Sequence, residues 1–324
     1  MKLSIIIPVY NTASYLERCV ESVYKNNTLD KSDFEVICVN DGSTDNSAQI
    51  LNALKQLHSN LMVITQANAG LSAARNSALN VATGTYVYFL DSDDFINASN
   101  LVATLSDCNR NNFDVAIVEY ACVDESGNFI NRQDKDVYSQ LDEVISGAKL
   151  LSDYTVRAAV WGYLFKRDIL EVSQLRFTRG IYHEDEEFTT ILLSKCRNVY
   201  HSKRQVYFYT HRSGSIIRST SSIKERKRLE SLFYVALSIN RLSEKSADSP
   251  EVSIGLSKKV AQLSLSFALK LRSSRLPRNE KRVLADRYLS SEIYPIRTNS
   301  LNNNQRLAAM LLNFKPFLWY YITC

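Results

Sequence analysis

The chain has 324 residues, 45% of them hydrophobic, with a formal net charge of +5. Such a length and apolar fraction allow one large α/β domain with a smaller appendage, and they exclude a disordered or fibrous chain. Six cysteines without C-x-x-C spacing and four scattered histidines exclude a Cys/His zinc site, and Cys38, inside an apolar run, suits a buried reduced thiol better than a disulfide.

From the N-terminus, Leu3 to Val9 is a β-rich run, too short and too poorly flanked for a signal peptide. Ala13 to Lys25 places Leu16, Cys19, Val20 and Val23 on one helical face. Phe34 to Val39 reads as a second strand ending in the turn Asn40-Asp41-Gly42-Ser43, after which a helix starting at Asp45 carries Ile50, Leu51, Leu54 and Leu57. Leu61–Thr65 is a third strand, Leu71–Val81 a third helix and Tyr86–Leu90 a fourth strand, with a fifth at Val115–Tyr120. Repeated βαβ units imply right-handed crossovers and an α/β fold with a doubly wound, mostly parallel sheet.

Beyond residue 125 the regularity fades. Gly127–Asp142 is polar and loop-like, while Trp161–Phe165 and Arg204–Tyr209 resemble further strands. After Ser222 the pattern is helical, with Val260, Leu263, Phe267 and Leu271 on one face and breaks at Pro277 and Pro295. No apolar stretch approaches the ~20 residues of a membrane span. A cytoplasmic location is expected.

Charge divides unevenly. Residues 1–200 carry 17 Lys+Arg against 26 Asp+Glu, and residues 201–324 carry 22 against 8, a net of +14. The basic part suits an anionic surface, and a peripheral membrane contact follows if the aromatic end (Trp319, Tyr320 and Tyr321, flanked by Arg306 and Lys315) lies among lipid headgroups. The plainer reading is a helical cap, with the aromatics in a core or subunit contact, and Pro316 interrupts any single long helix there.

Chemistry concentrates where strands end, because ligands of open α/β sheets bind outside the carboxyl ends of the strands. The first strand ends in Pro8-Val9-Tyr10-Asn11, the second in Asn40-Asp41, and the fourth in Asp91-Ser92-Asp93-Asp94. Asn68–Asn76, with Arg75, follows the third strand. Three carboxylates within four residues repel one another unless a cation or several donors satisfy them, and a divalent metal holding a phosphorylated ligand does so economically. Tyr10 can stack on a base, Asp41 can accept from one, and Arg75 can donate in plane. Each taken singly has a plainer reading: Asp41-Gly42-Ser43 as a turn, Arg75 as a surface charge, the acids as a helix start. Neither G-x-G-x-x-G after the first strand nor a P-loop sequence occurs, which argues against dinucleotide oxidoreductases and P-loop enzymes.

Taken together and in this order and spacing, Ser4–Asn11, Val39–Asp45, Gly70–Asn76 and Phe89–Asp94 resemble the family 2 glycosyltransferases, inverting GT-A-fold enzymes that use nucleotide-diphosphate sugars; the likeness covers about residues 3–215. The resemblance implies that Pro8, Tyr10, Asn11, Asp41 and Arg75 hold the nucleotide. It makes Asp91, with Ser92, the ribose and sugar contact, Asp93 the ligand of Mn2+ or Mg2+, and Asp94 a donor-sugar contact. In Glu184-Asp185-Glu186-Glu187-Phe188 it makes Asp185 the catalytic base, with Glu184 the neighbouring candidate; the plainer reading is an acidic first helical turn. Tyr209-x-x-Arg212-x-x-Ser215 resembles an element near the donor diphosphate, giving Arg212 and His211 as phosphate contacts. The donor half is then residues 1–95, the acceptor half with the base 96–220, and a basic helical region 221–324. The implied partners are a nucleotide-diphosphate sugar, a UDP-sugar by the resemblance, and a glycan or lipid-linked glycan acceptor; nucleic acid is not expected. A Gln-x-x-Arg-Trp element and spanning helices, found in processive relatives, do not occur here, so one sugar per encounter is expected. A nucleotidyltransferase or a non-catalytic nucleotide-sugar-binding protein are the rival functions.

Overall fold

A computed structural model describes residues 1–130, 138, 140–212, 222–298, 301–315 and 320–321. The chain divides into two compact units, the first formed by Met1–Ser146, Ala159–Gly180 and Cys196–Ser215, the second by Gly147–Ala158, Ile181–Lys195 and Ile216–Cys324.

The first unit is built on an eight-stranded sheet. Its elements are β1 (Leu3–Val9), α1 (Ala13–Tyr24), β2 (Phe34–Asn40), α2 (Ser47–Leu57), β3 (Leu61–Thr65), α3 (Leu71–Leu79), β4 (Tyr86–Phe89), β5 (Phe95–Ile96), α4 (Ala98–Asn111), β6 (Val115–Val123), β7 (Tyr163–Lys166), α6 (Arg167–Val172) and β8 (Val199–Thr210). The sheet order is β3-β2-β1-β4-β7-β6-β8-β5. β1 runs parallel to both β2 and β4, and β2 to β3, so four neighbouring strands end on the same side. β1 and β2 are buried along their whole length, which explains near-continuous Ile/Val runs in place of alternation.

The sheet is mostly parallel, as expected, and several details depart from the sequence reading. β7 pairs antiparallel with both β4 and β6, and β5 antiparallel with β8, so the sheet is mixed in its second half. β7 thus lies between β4 and β6, the expected fifth strand, and the first part of Trp161–Phe165 is a 3-10 turn, Val160–Gly162. β8 also extends well before Arg204, through His201, Ser202 and Lys203, whose polar side chains conceal a strand and whose Lys203 has φ 55°. Leu57, expected on the buried face of α2, is exposed, the helix being anchored by Leu51 and Leu54. Cys38 is buried, and burial pushes its thiol up to about 12. Cys19, Cys38, Cys108, Cys122 and Cys196 are free thiols. Within the loop expected at 127–142, residues 131–137 and 139 lie outside the described residues.

The second unit is helical: α5 (Gly147–Asp153), α7 (Glu184–Leu193), α8 (Ser222–Lys245), α9 (Pro250–Ser273), α10 (Arg278–Leu289) and α11 (Asn303–Leu312). α9 is its centre, with α5, α8, α10 and α11 packed against it and α7 against α5 and α8. Val260, Leu263, Phe267 and Leu271 are all buried on the core face of α9, as their helical spacing implies. Gly255 lets α5 approach: a Cβ there would lie 2.8 Å from Leu151 Cβ and 3.0 Å from the Ala148 carbonyl. No helix among the described residues is long and apolar enough to cross a membrane. Pro316 and Trp319, singled out in the sequence, lie outside the described residues.

Candidate active site

The shared direction of β1, β2 and β4 brings residues 8–11, 40–45 and 91–94 to one end of the sheet. Pro8 is buried within β1, and Tyr10, just beyond the strand, is 48% exposed. Asn11 turns the chain with φ 52°, and its side-chain oxygen accepts the Thr44 amide at 2.8 Å, stitching the first loop to the second. Asp45 completes the stitch by accepting the amides of Ala13 (2.9 Å) and Ser47 (3.0 Å), so α1 and α2 start from one carboxylate. Its pKa is lowered: burial resists charging, and these amides with the Ser47 hydroxyl outweigh it.

Asp41 is buried and gathers three donors, the Gln66 side chain at 2.7 Å and the amides of Ala69 and Gly70 at 2.9 and 2.8 Å. The Asn68–Gly70 loop is thereby folded over the end of β2, and Gly70 enters α3 at φ 90°, where a Cβ would be strained. α3 is buried on nearly every side by small residues, which sets Arg75 deep in the unit. Arg75 is 3% exposed; its guanidinium bonds the Asp91 carboxylate at 2.9 Å and lies 5.2 Å from the Phe177 ring and 5.9 Å from that of Phe89. It is a buried structural cation on the acid cluster rather than a surface charge.

The four residues after β4 divide by direction. Ser92 is buried and accepts from the Thr12 hydroxyl at 2.9 Å. Asp93 pairs with the Arg212 Nε at 2.7 Å, and that guanidinium lies 5.6 Å from the Tyr15 ring. Burial first, then the neighbouring Asp91 charge, raise the Asp93 carboxyl, with Arg212 opposing both. Asp94 turns away from these: it is 2% exposed and accepts the Tyr207 hydroxyl at 2.5 Å and the Thr210 amide at 2.6 Å. Burial, and then Asp93 and Asp91, push its carboxyl well above the usual range. Tyr207 is itself held by Trp161, stacked at 4.2 Å. Sequence reasoning did not find Thr12, Gln66, Phe177, Tyr207 or Thr210. Tyr207 stood within an expected strand, but nothing in a run of alternating aromatics marks which hydroxyl meets a buried acid. Of the expected diphosphate element, His211 and Arg212 are described and Ser215 lies outside the described residues.

In the second unit, His183 adopts the left-handed conformation (φ 63°) and α7 opens on four acids. Glu186 pairs with Lys259 of α9, and Glu187, buried, accepts the Ser238 hydroxyl at 2.5 Å. Glu184 and Asp185 precede them, half-buried, and Asp185 accepts the Glu186 amide at 2.9 Å. The later two acids are thus structural anchors of α7 on α8 and α9. A separate cavity of about 750 Å3 beside α1 and β5 is lined by Arg18, Tyr24, Phe95 and Phe208, and its one carboxylate, Glu21, bonds His58 at 2.9 Å. The reactive groups are not there.

A sheet whose parallel strand ends collect carboxylates, buried arginine and an exposed aromatic, joined to a helical unit, is the GT-A class of α/β architecture. The likeness extends to S. aureus TarS 1-349 in complex with UDP, with a TM-score of 0.70 at 20% identity over 99% of this chain and 90% of that one, a similarity of fold. Residues 4–170 match the sequence family Glycosyl transferase family 2. The chain is 33% identical over 228 residues to glycosyltransferase GlyA of Streptococcus pneumoniae serotype 4, covering 67% of this chain and 32% of that protein. It is 32% identical over 212 residues to the poly(ribitol-phosphate) beta-glucosyltransferase of Bacillus spizizenii, covering 64% and 32%. The matched segment therefore spans about a third of the length of each of these two relatives. The chain belongs to glycosyltransferase family 2.

Proposed function

We propose that this chain is an inverting, metal-dependent glycosyltransferase. It moves one sugar per encounter from a UDP-sugar to a hydroxyl of a glycan or lipid-linked glycan, in bacterial surface polysaccharide synthesis. The observation that carries the reading is the pairing of Asp91 with Arg75 and of Asp93 with Arg212 at the end of β4, which brings two guanidiniums from elsewhere in the unit to two carboxylates of one loop. The UDP in the TarS complex and the sugar transfer named for the Bacillus relative support the donor class.

In this reading Tyr10 stacks on the base and Asp41 holds the loop around it. Asp91 meets ribose and sugar hydroxyls. Asp93 offers carboxylate oxygen, the ligand type a hard cation takes, with the Asp91 charge beside it. Asp93 would hold Mn2+ or Mg2+, which supplies positive charge where the diphosphate leaves. Arg212 adds fixed positive charge at the same place, stabilising the departing nucleoside diphosphate without proton transfer, while the buried Arg75 holds Asp91 beside the nucleotide. The acceptor hydroxyl is a poor nucleophile and gives its proton to Asp185, or to Glu184 beside it, as the oxygen attacks the anomeric carbon in line with the leaving phosphate. One base suffices because no covalent intermediate forms.

The test separates donor from base. Asp185→Asn keeps UDP-sugar affinity within twofold by calorimetry and lowers transfer by about 10²–10⁴-fold, the usual worth of general-base catalysis. Full turnover in this variant and in Glu184→Gln refutes the base assignment.

A further inference from the structure

α11 is apolar on two opposite faces. Ala309 and Leu312 are buried in the second unit, where Asn313 also bonds the Ile296 amide at 2.7 Å and the Ile296 carbonyl at 2.8 Å, fixing the end of the helix. The other face is Leu307, Met310 and Leu311, at the i, i+3, i+4 spacing of a single stripe, continued just past the helix end by Phe314, and all four are exposed, Leu307 and Phe314 at 64% each. Single exposed apolar side chains need no explanation; four in one stripe do.

Charge around the stripe selects its occupant. At 100° per residue Arg306 flanks the stripe on the helix, and Lys315 follows Phe314 just beyond the helix end; both are exposed. Arg272, at the end of α9, bonds the Tyr321 carbonyl and covers the Tyr321 ring at 4.5 Å, and Tyr320 beside it is 65% exposed. Residues 293–324 contain Arg297, Arg306 and Lys315 and no Asp or Glu. A second copy docked stripe to stripe would bring these cations against their own counterparts with no carboxylate in the segment to meet them. An anionic lipid surface meets both features, taking apolar side chains at the acyl boundary and cations among the headgroups.

We propose that the α11 stripe docks the second unit on an anionic membrane surface, with Leu307, Met310, Leu311 and Phe314 inserted and Arg306, Lys315 and Arg272 among the headgroup phosphates. This rests on α11 and the residues around its end and does not depend on the sugar-transfer reading.

The test is co-sedimentation of the full chain with vesicles of phosphatidylcholine alone or with 30 mol% phosphatidylglycerol. Binding is expected to the anionic vesicles and to fall with added salt. Leu307→Ser with Leu311→Ser, both at exposed positions, is expected to weaken it more than tenfold with an unchanged melting temperature. Arg306→Gln with Lys315→Gln is expected to weaken binding about fivefold per cation, the equivalent of ~1 kcal/mol each, and to reduce the salt dependence. Equal binding by the serine variant, or equal binding to both vesicle types, overturns the proposal. So does a self-association in ultracentrifugation that the serine variant abolishes, which assigns the stripe to a second copy.

Discussion

Removing one buried hydroxyl tests how the acid loop is held. Tyr207 is fully buried and donates at 2.5 Å to Asp94, whose only other donor among the described residues is the Thr210 amide at 2.6 Å. Tyr207→Phe keeps the ring and its 4.2 Å stacking on Trp161, so no large cavity opens and the change removes only what the hydroxyl makes, the bond to Asp94 and a longer one accepted from the Asp91 amide at 3.4 Å. A bond to a carboxyl group in a dry site contributes about 1.5–3 kcal/mol, more than a neutral pair, because the acceptor left behind has no water to replace the donor. Urea denaturation should therefore show a loss of that size with an unchanged m-value. Tyr24→Phe is the internal control: its hydroxyl is buried with no hydrogen-bond partner among the described residues, so its removal should be neutral or stabilising. Function should follow the tie. Arg212 lies two residues beyond Thr210, so a loosened Asp94 also loosens the Arg212–Asp93 pair, and the Michaelis constant for the donor should rise more than turnover falls. A Tyr207→Phe variant within 0.5 kcal/mol of wild type, or one no less stable than Tyr24→Phe, would refute the reasoning; both limits lie well inside the ~1.5 kcal/mol lower bound.

Two further outcomes follow from particular contacts. Gly84→Ala would set a Cβ 2.4 Å from the Ser4 backbone nitrogen, inside β1, where nothing flexible can yield; a loss of about 1–3 kcal/mol or more is expected in thermal unfolding, and a melting temperature equal to wild type contradicts the packing. His183 has its pKa lowered below the ordinary 6.5 by burial first and then by Lys270 and Arg228, against the pull of Glu186. The folded state then binds fewer protons than the unfolded one between that lowered value and 6.5, so its stability is full above about pH 6.5 and declines as pH falls from there towards the lowered value. His183→Asn, which tolerates the left-handed backbone, should flatten this decline between pH 7.5 and 5.5, and an identical decline in both proteins rejects it.

The first four strands were legible because β1, β2 and β4 are buried on both faces and write themselves as apolar runs, with Gly, Asn and Asp marking each end. The direction of β7 was not, since antiparallel pairing with β4 and β6 is decided by partners 46 to 80 residues away. β8 was half-visible because His201 to Gln205 are polar within it. At the site, the motif named the acids, but their partners are products of the fold. Arg75 reaches Asp91 from a helix, Arg212 reaches Asp93 from the end of another strand, and Tyr207 meets Asp94 from 113 residues away. Sequence gave Asp91, Asp93 and Asp94 as one acidic run; packing divides them, two facing arginines and one sealed against β8.

The most direct test of the nucleotide-sugar site is calorimetric titration of UDP-, GDP- and TDP-sugars into the protein with and without Mn2+. The account predicts that a UDP-sugar binds only with Mn2+ present and that Asp93→Asn abolishes this metal-dependent binding while the protein remains folded. Binding of no donor under either condition, or equal metal-dependent binding by Asp93→Asn, contradicts it.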